Sequence, residues 1–231
     1  MANLFNTILY TPLFNLLIFL YDVIPGHDFG IAIIALTVLI RVAFSPLSLK
    51  AQRSQKALNA LNPKIKDIKE KFKNDQTAQG AEIMKLYKEH GVNPIAGCLP
   101  LLIQLPILIA LYRAFIAGLN PQSLAMIYPF IHNPVSISPT FIGLITITAH
   151  NRYLAVVAGL LQFFQARQSM NYMRLGGPPA PEMAALNNQM LYFFPVFIVI
   201  IGWNLPAGLI LYWITTTLFS IVEQLYLRRT S

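Results

Sequence analysis

The residues able to do chemistry in this chain are few, and they sit inside apolar runs. Arg41 is the one charge between Phe29 and Leu49. Thr37 precedes it by one helical turn on the same face. Gln104 stands between Pro100 and Pro106 in a second run. Gln162 and Gln165 lie three residues apart in a third, with Gln168 one turn further on. Tyr212 and Trp213, followed by Thr215, Thr216, Thr217 and Ser220, belong to the last run, which begins just after the turn Trp203-Asn204-Leu205-Pro206. Such a set can hold water and attract an anion. It does not suit bond-breaking chemistry: no run pairs Ser with His or Asp with Asp, and neither an HExxH motif nor a P-loop occurs. No enzyme, cofactor or metal site is expected. His132-Asn133 and His150-Asn151 have no cysteine or carboxylate at ligand spacing and read as surface residues. The single cysteine, Cys98, reads as a small buried residue of an apolar helix.

An arginine near the middle of a bilayer costs about 2.5–3.5 kcal/mol on insertion scales. Three readings of Arg41 are open: a water-filled cavity, snorkelling to the interface, or an ion pair with Glu223, the one acid in another span. The cavity is favoured, because the polar residues of the other spans crowd into the same half of the membrane. The opposite half is closed by Ile34, Leu36, Ile107, Leu108 and Leu111, which argues against a through-pore.

The elements that must position these residues follow from composition. Hydrophobic residues make up 55% of the 231 and charged residues 11%, well under the roughly 25% charged residues of a soluble domain. Runs long enough to cross about 30 Å of hydrocarbon give an all-α membrane protein with five spans, at 29–49, 95–119, 153–170, 186–203 and 206–225. Residues 1–28 form an N-terminal helix and link. Asn6, Thr7, Thr11 and Asn15 make a stripe read as wet, and Pro12 interrupts the middle, so this helix is expected in the outer interface rather than across the membrane. It lacks a basic leader and a cleavage site and does not read as a signal peptide.

Net charge is +8, and ten of the 17 basic residues lie between Lys50 and Lys88. With Arg167, Arg174, Arg228 and Arg229, fourteen fall on one side of the expected spans, against Arg113 and Arg152 on the other. The expected orientation is N-outside and C-cytoplasmic. No nucleic-acid module surrounds the basic block. Within residues 50–91, Asn62-Pro63 marks a helix start, Asn74–Thr77 a turn, and Ile65, Ile68 and Phe72 face Ile83, Leu86 and Tyr87. That pattern is a cytoplasmic helical hairpin with solvated lysines. An outer loop (120–152), a cytoplasmic loop (171–185) and a short tail (226–231) complete the chain.

Four blocks of the sequence, VNPIAGCLPLLIQLPILIALY (92–112), RVAFSPLSLKAQRSQ (41–55), LNPKIKDIKEKF (61–72) and WNLPAGLILYWITT (203–216), resemble the YidC/Oxa/Alb membrane insertases. The resemblance implies a five-span core around a groove open to the cytoplasm and to lipid, a coiled-coil hairpin and an outer interfacial helix. It places Arg41 and Thr37 in the groove, with Trp213 beside Tyr212, and either Gln162 or Gln165. Substrate would slide past Gln104, Leu105, Pro106 and Trp203. Relatives often carry tyrosine where this chain has Trp213. Unlike proteobacterial members, the sequence is expected to carry no large periplasmic domain before the first span, and RRTS is the expected tail after Leu227. The implied function is insertion and folding of small membrane proteins in the bacterial plasma (inner) membrane. The implied partners are nascent chains and the lipid bilayer, with the Sec translocon and the ribosome reached through the hairpin. A structural assembly factor of a translocon and a small anion transporter are the alternatives; the latter would be expected to show inverted repeats, and none is found.

Overall fold

The computed structural model describes residues 2–93, 99–117, 126–132, 134, 137–175, 177 and 181–230. Cys98 and Asn133 lie outside these described residues.

The chain opens with α1 (Ala2–Phe5), a π-helical turn (Asn6–Tyr10) and α2 (Thr11–Val23). Pro12 lies in the first turn of α2. It has no N–H to give the preceding turn, and that turn opens to π geometry without ending the helix. The stripe expected to be wet is so only in part: Thr7 is exposed and Asn6 and Thr11 are half-buried. Tyr10 and Asn15 are buried. Asn15 donates to the carbonyls of Thr11 (2.9 Å) and Met126 (3.1 Å), and its own carbonyl accepts from Tyr128 N–H at 2.7 Å. A buried amide needs such partners, and the segment of Met126 and Tyr128, 111 and 113 residues away, supplies two of the three. The Tyr21 hydroxyl accepts from Ser138 N–H, Asp22 meets His132 at 3.2 Å, and Asn6 accepts from Arg113 at 3.0 Å. The whole helical segment is thus tied to the loop end of the molecule.

Helix α3 runs from Phe29 to Ala60. Asp28 caps it through Ile31 N–H at 2.9 Å and also accepts from Ile142 N–H at 2.5 Å. The helix was expected to stop at Leu49; it continues 11 residues further. The change from lipid-like to water-like sequence alters what α3 faces, but Lys50–Ala60 contains no breaker. Helices α4 (Asn62–Lys71) and α5 (Gln76–Glu89) then form the hairpin proper, closed by Leu61, Ile65 and Leu86. Leu61, not Asn62, occupies the cap position of α4, and Asn62-Pro63 fill its first turn. The connection between the arms is Phe72–Asn74, since Asp75 already caps α5 through Ala78 N–H at 2.9 Å.

Helix α6 (Leu99–Ala117) is followed by the two-residue strands β1 (Thr140–Phe141) and β2 (Ile145–Thr146), paired antiparallel. Helices α7 (Arg152–Arg174), α8 (Pro181–Gly202) and α9 (Ala207–Thr230) complete the bundle. α8 begins earlier than expected, and α9 extends through the expected tail, with Arg228 and Arg229 in its last turn, where the helix dipole favours cations. The loop folds over the start of α9: Ala207 and Gly208 N–H donate to the carbonyls of Ala149 and Ile147, both at 2.9 Å. At Gly202 a side chain would meet the Ala155 Cβ at 2.9 Å, so glycine lets α8 and α7 approach.

One apolar core joins α2, α3, α6 and α9 at the loop end through Phe14, Leu17, Ile33, Leu36, Leu111 and Ile147. A second, around Ala155, Ala158, Ile198 and Ile210, joins α7, α8 and α9. By length and composition three helical stretches among the described residues can cross a membrane: Asn6–Val23, Phe29–Ala60 and Ala207–Arg229. Gln104–Phe115 and Asn188–Gly202 are shorter apolar stretches. α7, expected to hold the third span, is not in this group; Gln162, Gln165, Arg167 and Gln168 make it more polar.

Candidate functional site

Below the loop-end core, α3, α6, α7, α8 and α9 leave a cavity of about 350 Å³. α3 contributes Arg41, α6 contributes Gln104, Leu105 and Leu108, α7 contributes Gln162 and Gln165, and α8 contributes Phe194. α9 contributes most: Tyr212, Trp213, Thr216, Thr217 and Ser220. Their spacing of three and four residues is one helical stripe.

The Arg41 guanidinium is largely buried and turned toward α9. It donates to Ser220 Oγ and to the Thr216 carbonyl at 3.3 Å, and stands 5.6 Å from the centre of the Phe219 ring. Its nearest acid is Glu223, whose carboxylate lies 3.9 Å away and accepts from Ser48 Oγ at 2.9 Å. A cavity and an ion pair are alternative readings of Arg41 in the sequence; in the structure Arg41 both lines a cavity and stands 3.9 Å from Glu223. A chain of polar contacts lines the rest of the wall. Gln104 donates to the Tyr212 hydroxyl, Trp213 Nε1 donates to Gln162 at 3.2 Å, and Gln162 donates to Gln165 at 3.1 Å.

These contacts do not satisfy every buried polar atom. Arg41 Nε, Gln52 Oε1, Thr216 Oγ1, Glu223 Oε1 and Gln224 Oε1 are buried without a protein partner among the described residues. An unmade hydrogen bond on a buried group costs about 1–3 kcal/mol. Of the five residues, Arg41 and Thr216 line the cavity, whereas Gln52 on α3 and Glu223 and Gln224 on α9 lie outside its lining.

Not every expected residue reaches this cavity. Thr37 is buried, and its hydroxyl donates to the Ile33 carbonyl at 2.6 Å, so it contributes to the core of α3 rather than to the wall. Trp203 sits in the turn between α8 and α9 at the loop end, half exposed, with the Arg152 guanidinium 6.0 Å from its ring centre. Pro106 is exposed on α6 and does not line the cavity, whereas its neighbour Leu105 lines the cavity and is half exposed. Sequence reasoning names neither Ser48 nor Gln52, and it takes the Arg41–Glu223 ion pair only as an alternative to the cavity. The signal was present: Thr216, Ser220 and Glu223 repeat at helical spacing on one face. The histidine segments also differ from expectation in part. His132 is exposed, but Asn151 caps α7 through Leu154 N–H at 3.0 Å.

Comparison with known proteins follows the same outline. The family model described as 60Kd inner membrane protein matches residues 19–231. A Fusobacterium nucleatum protein named membrane protein insertase YidC is 33% identical over 223 residues, covering 96% of this chain and 97% of that one. Proteins of the same name from Geotalea daltonii and Francisella tularensis subsp. novicida are 31% and 37% identical over 221 and 202 residues. This chain spans only 37% and 33% of their lengths. With the match running from α2 to the last residue, the chain belongs to the 60Kd inner membrane protein family, that of the YidC/Oxa insertases.

Proposed function

We propose that the chain inserts small membrane proteins from the cytoplasmic side, using the Arg41 cavity to receive acidic segments that must cross. The observation that carries this is a largely buried cation, Arg41, in the wall of a cavity of about 350 Å³ that Gln104, Gln162, Gln165, Thr216, Thr217 and Ser220 also line. The cavity is lined by polar groups toward the hairpin and capped by apolar residues toward the loop. An acidic tail entering it meets Arg41 where the effective dielectric is below that of water and Coulomb attraction is stronger. It then has less hydrocarbon to cross. Leu105, at the exposed edge of the cavity, with Pro106 beside it, offers an apolar route by which the substrate helix passes to lipid. Burial of that helix at about 25 cal/mol per Å² drives the transfer. A membrane potential adds about 2.3 kcal/mol per negative charge per 100 mV moved outward.

The same proposal includes five spans with the N-terminus outside, the C-terminus and hairpin cytoplasmic, and the N-terminal helix in the outer interface. The lysine-rich hairpin supports that orientation, and the ties of Asn6, Asn15, Tyr21 and Asp22 to the loop end support the lateral position of the first helix. The hairpin is the surface proposed to meet the ribosome or a Sec translocon.

Purified protein in liposomes without any translocon tests this reading. The expected outcome is that a small single-span substrate with an acidic tail becomes protease-protected well above the level in empty liposomes. Protection no greater than in empty liposomes would assign the chain to assembly of another machine instead.

A further inference from the structure

A second cavity, of about 390 Å³, lies between α7 and α8 at the hairpin end, within the roughly 300–1,000 Å³ usual for small-ligand pockets. Its polar lining is Arg167, Asn171 and Arg174 from α7 and Asn188 from α8, with Phe163 and Tyr192 at its apolar margin. It shares no residue with the Arg41 cavity. Arg167 and Arg174 are seven residues apart, two turns and about 10 Å along one face, with Asn171 between them. Neither arginine forms an ion pair among the described residues. Nearby contacts fix its place: Asn59 at the end of α3 donates to the Met173 carbonyl at 3.3 Å, and Lys56 stands 5.2 Å from the Tyr172 ring centre. The pocket is therefore beside the most basic end of the molecule.

What lies next to this pocket decides its occupant. Leu160 and Phe164 on α7, and Phe193, Val196 and Phe197 on α8, are exposed apolar side chains. They continue along the same two helices from the arginines toward the loop end. Phe163 and Tyr192 pack at the boundary with ring centres 6.1 Å apart. A polar, doubly cationic pocket above an apolar strip has the form of a phospholipid, with an anionic headgroup and an acyl chain.

We propose that this pocket binds the headgroup of an anionic phospholipid. The phosphate lies between Arg167 and Arg174, which can each present two parallel N–H groups to its oxygens. Asn171 and Asn188 donate to the remaining headgroup oxygens, and an acyl chain runs over Phe164 and Phe193. Basic pockets between helices at the cytoplasmic surface suit such headgroups. A free anion would use the arginines but gain nothing from the apolar strip.

The test reconstitutes the full chain in phosphatidylcholine nanodiscs containing a minor fraction of phosphatidylglycerol. Native mass spectrometry then counts each lipid retained after release. The Arg167→Gln/Arg174→Gln pair is expected to lose retained phosphatidylglycerol about tenfold, and Arg174→Gln alone to give an intermediate loss. The Lys73→Gln/Lys88→Gln pair removes the same charge from exposed sites on the hairpin and is expected to change retention less than about twofold. Phosphatidylcholine retention stays constant, and inorganic phosphate does not displace the lipid. Equal losses in both pairs would show diffuse attraction to surface charge, and displacement by inorganic phosphate would show a free-anion site. Either result overturns the proposal. Arg167 and Arg174 are exposed, so their substitution leaves the fold intact, which unchanged thermal unfolding checks.

Discussion

Replacing Arg41 by alanine is expected to lower the insertion of an acidic-tailed substrate about tenfold and to leave a neutral-tailed one within about twofold. A tenfold change corresponds to about 1.4 kcal/mol. The figure is modest for a buried charge because Arg41 does not wait unpaired: Glu223, Ser220 and the Thr216 carbonyl already hold it. The substrate carboxylate gains only the difference between itself and those partners. Protease protection in liposomes, with both tails run in parallel, reads the effect. Arg41→Lys separates charge from geometry. Lysine keeps the charge but not the planar guanidinium, whose Nη2 donates to both Ser220 Oγ and the Thr216 carbonyl, so it restores at least half of the lost insertion if the field of the cation matters most. Loss of insertion for both tails alike would point to a structural defect of the α3–α9 contact.

Glu223→Gln is expected to act in two directions. Glutamine keeps an acceptor for Ser48 but removes the counter-ion 3.9 Å from Arg41. At an effective dielectric of about 20, two charges at that separation attract by roughly 4 kcal/mol, partly offset by the cost of desolvating the carboxylate. The net loss of stability should be about 2 kcal/mol, read as a lower thermal unfolding midpoint in detergent. The same change leaves Arg41 free of its resident carboxylate. Capture of an acidic-tailed substrate should therefore rise severalfold, and capture of a neutral-tailed one should not. Glu223 then occupies the position that a substrate carboxylate takes over, and its strength sets how acidic a tail must be to compete. A fall in acidic-tail capture that matches the fall in stability would remove this role.

Much of the cavity was legible in the sequence, for a reason specific to membranes. Arg41, Gln104, Gln162 and Gln165 are polar groups in apolar runs, and hydrocarbon offers them no partner except one another or water. The sequence showed the residues that must converge but not the distance at which they do so. Thr37 shows the limit. A threonine can satisfy its hydroxyl on its own helix four residues back, so its place beside Arg41 in sequence carried no obligation to face the cavity. Asn15 misled in the other direction. Its stripe looked wet because its partners, Met126 and Tyr128, lie in a remote loop and leave no periodic mark. The length of α3 beyond Leu49 was hidden because its change of environment coincides with no helix breaker. Glu223 is the weaker reading from sequence, since an acid near the expected end of a span has interfacial water as an easier partner than a cation on another helix. Its pairing depends on α3 crossing α9 at Ser48 and Ser220.

The most direct measurement is site-specific photocrosslinking to a ribosome-arrested nascent chain with an acidic tail. A photoreactive residue is placed in turn at Leu105, Gln165 and Thr216, which line the cavity, and at Tyr153, which is exposed on α7 outside it. The expected result is adducts from the three cavity positions, reduced when Arg41 is alanine, with little from Tyr153. Adducts as strong from Tyr153, or none from the cavity, would contradict passage of the substrate by Arg41.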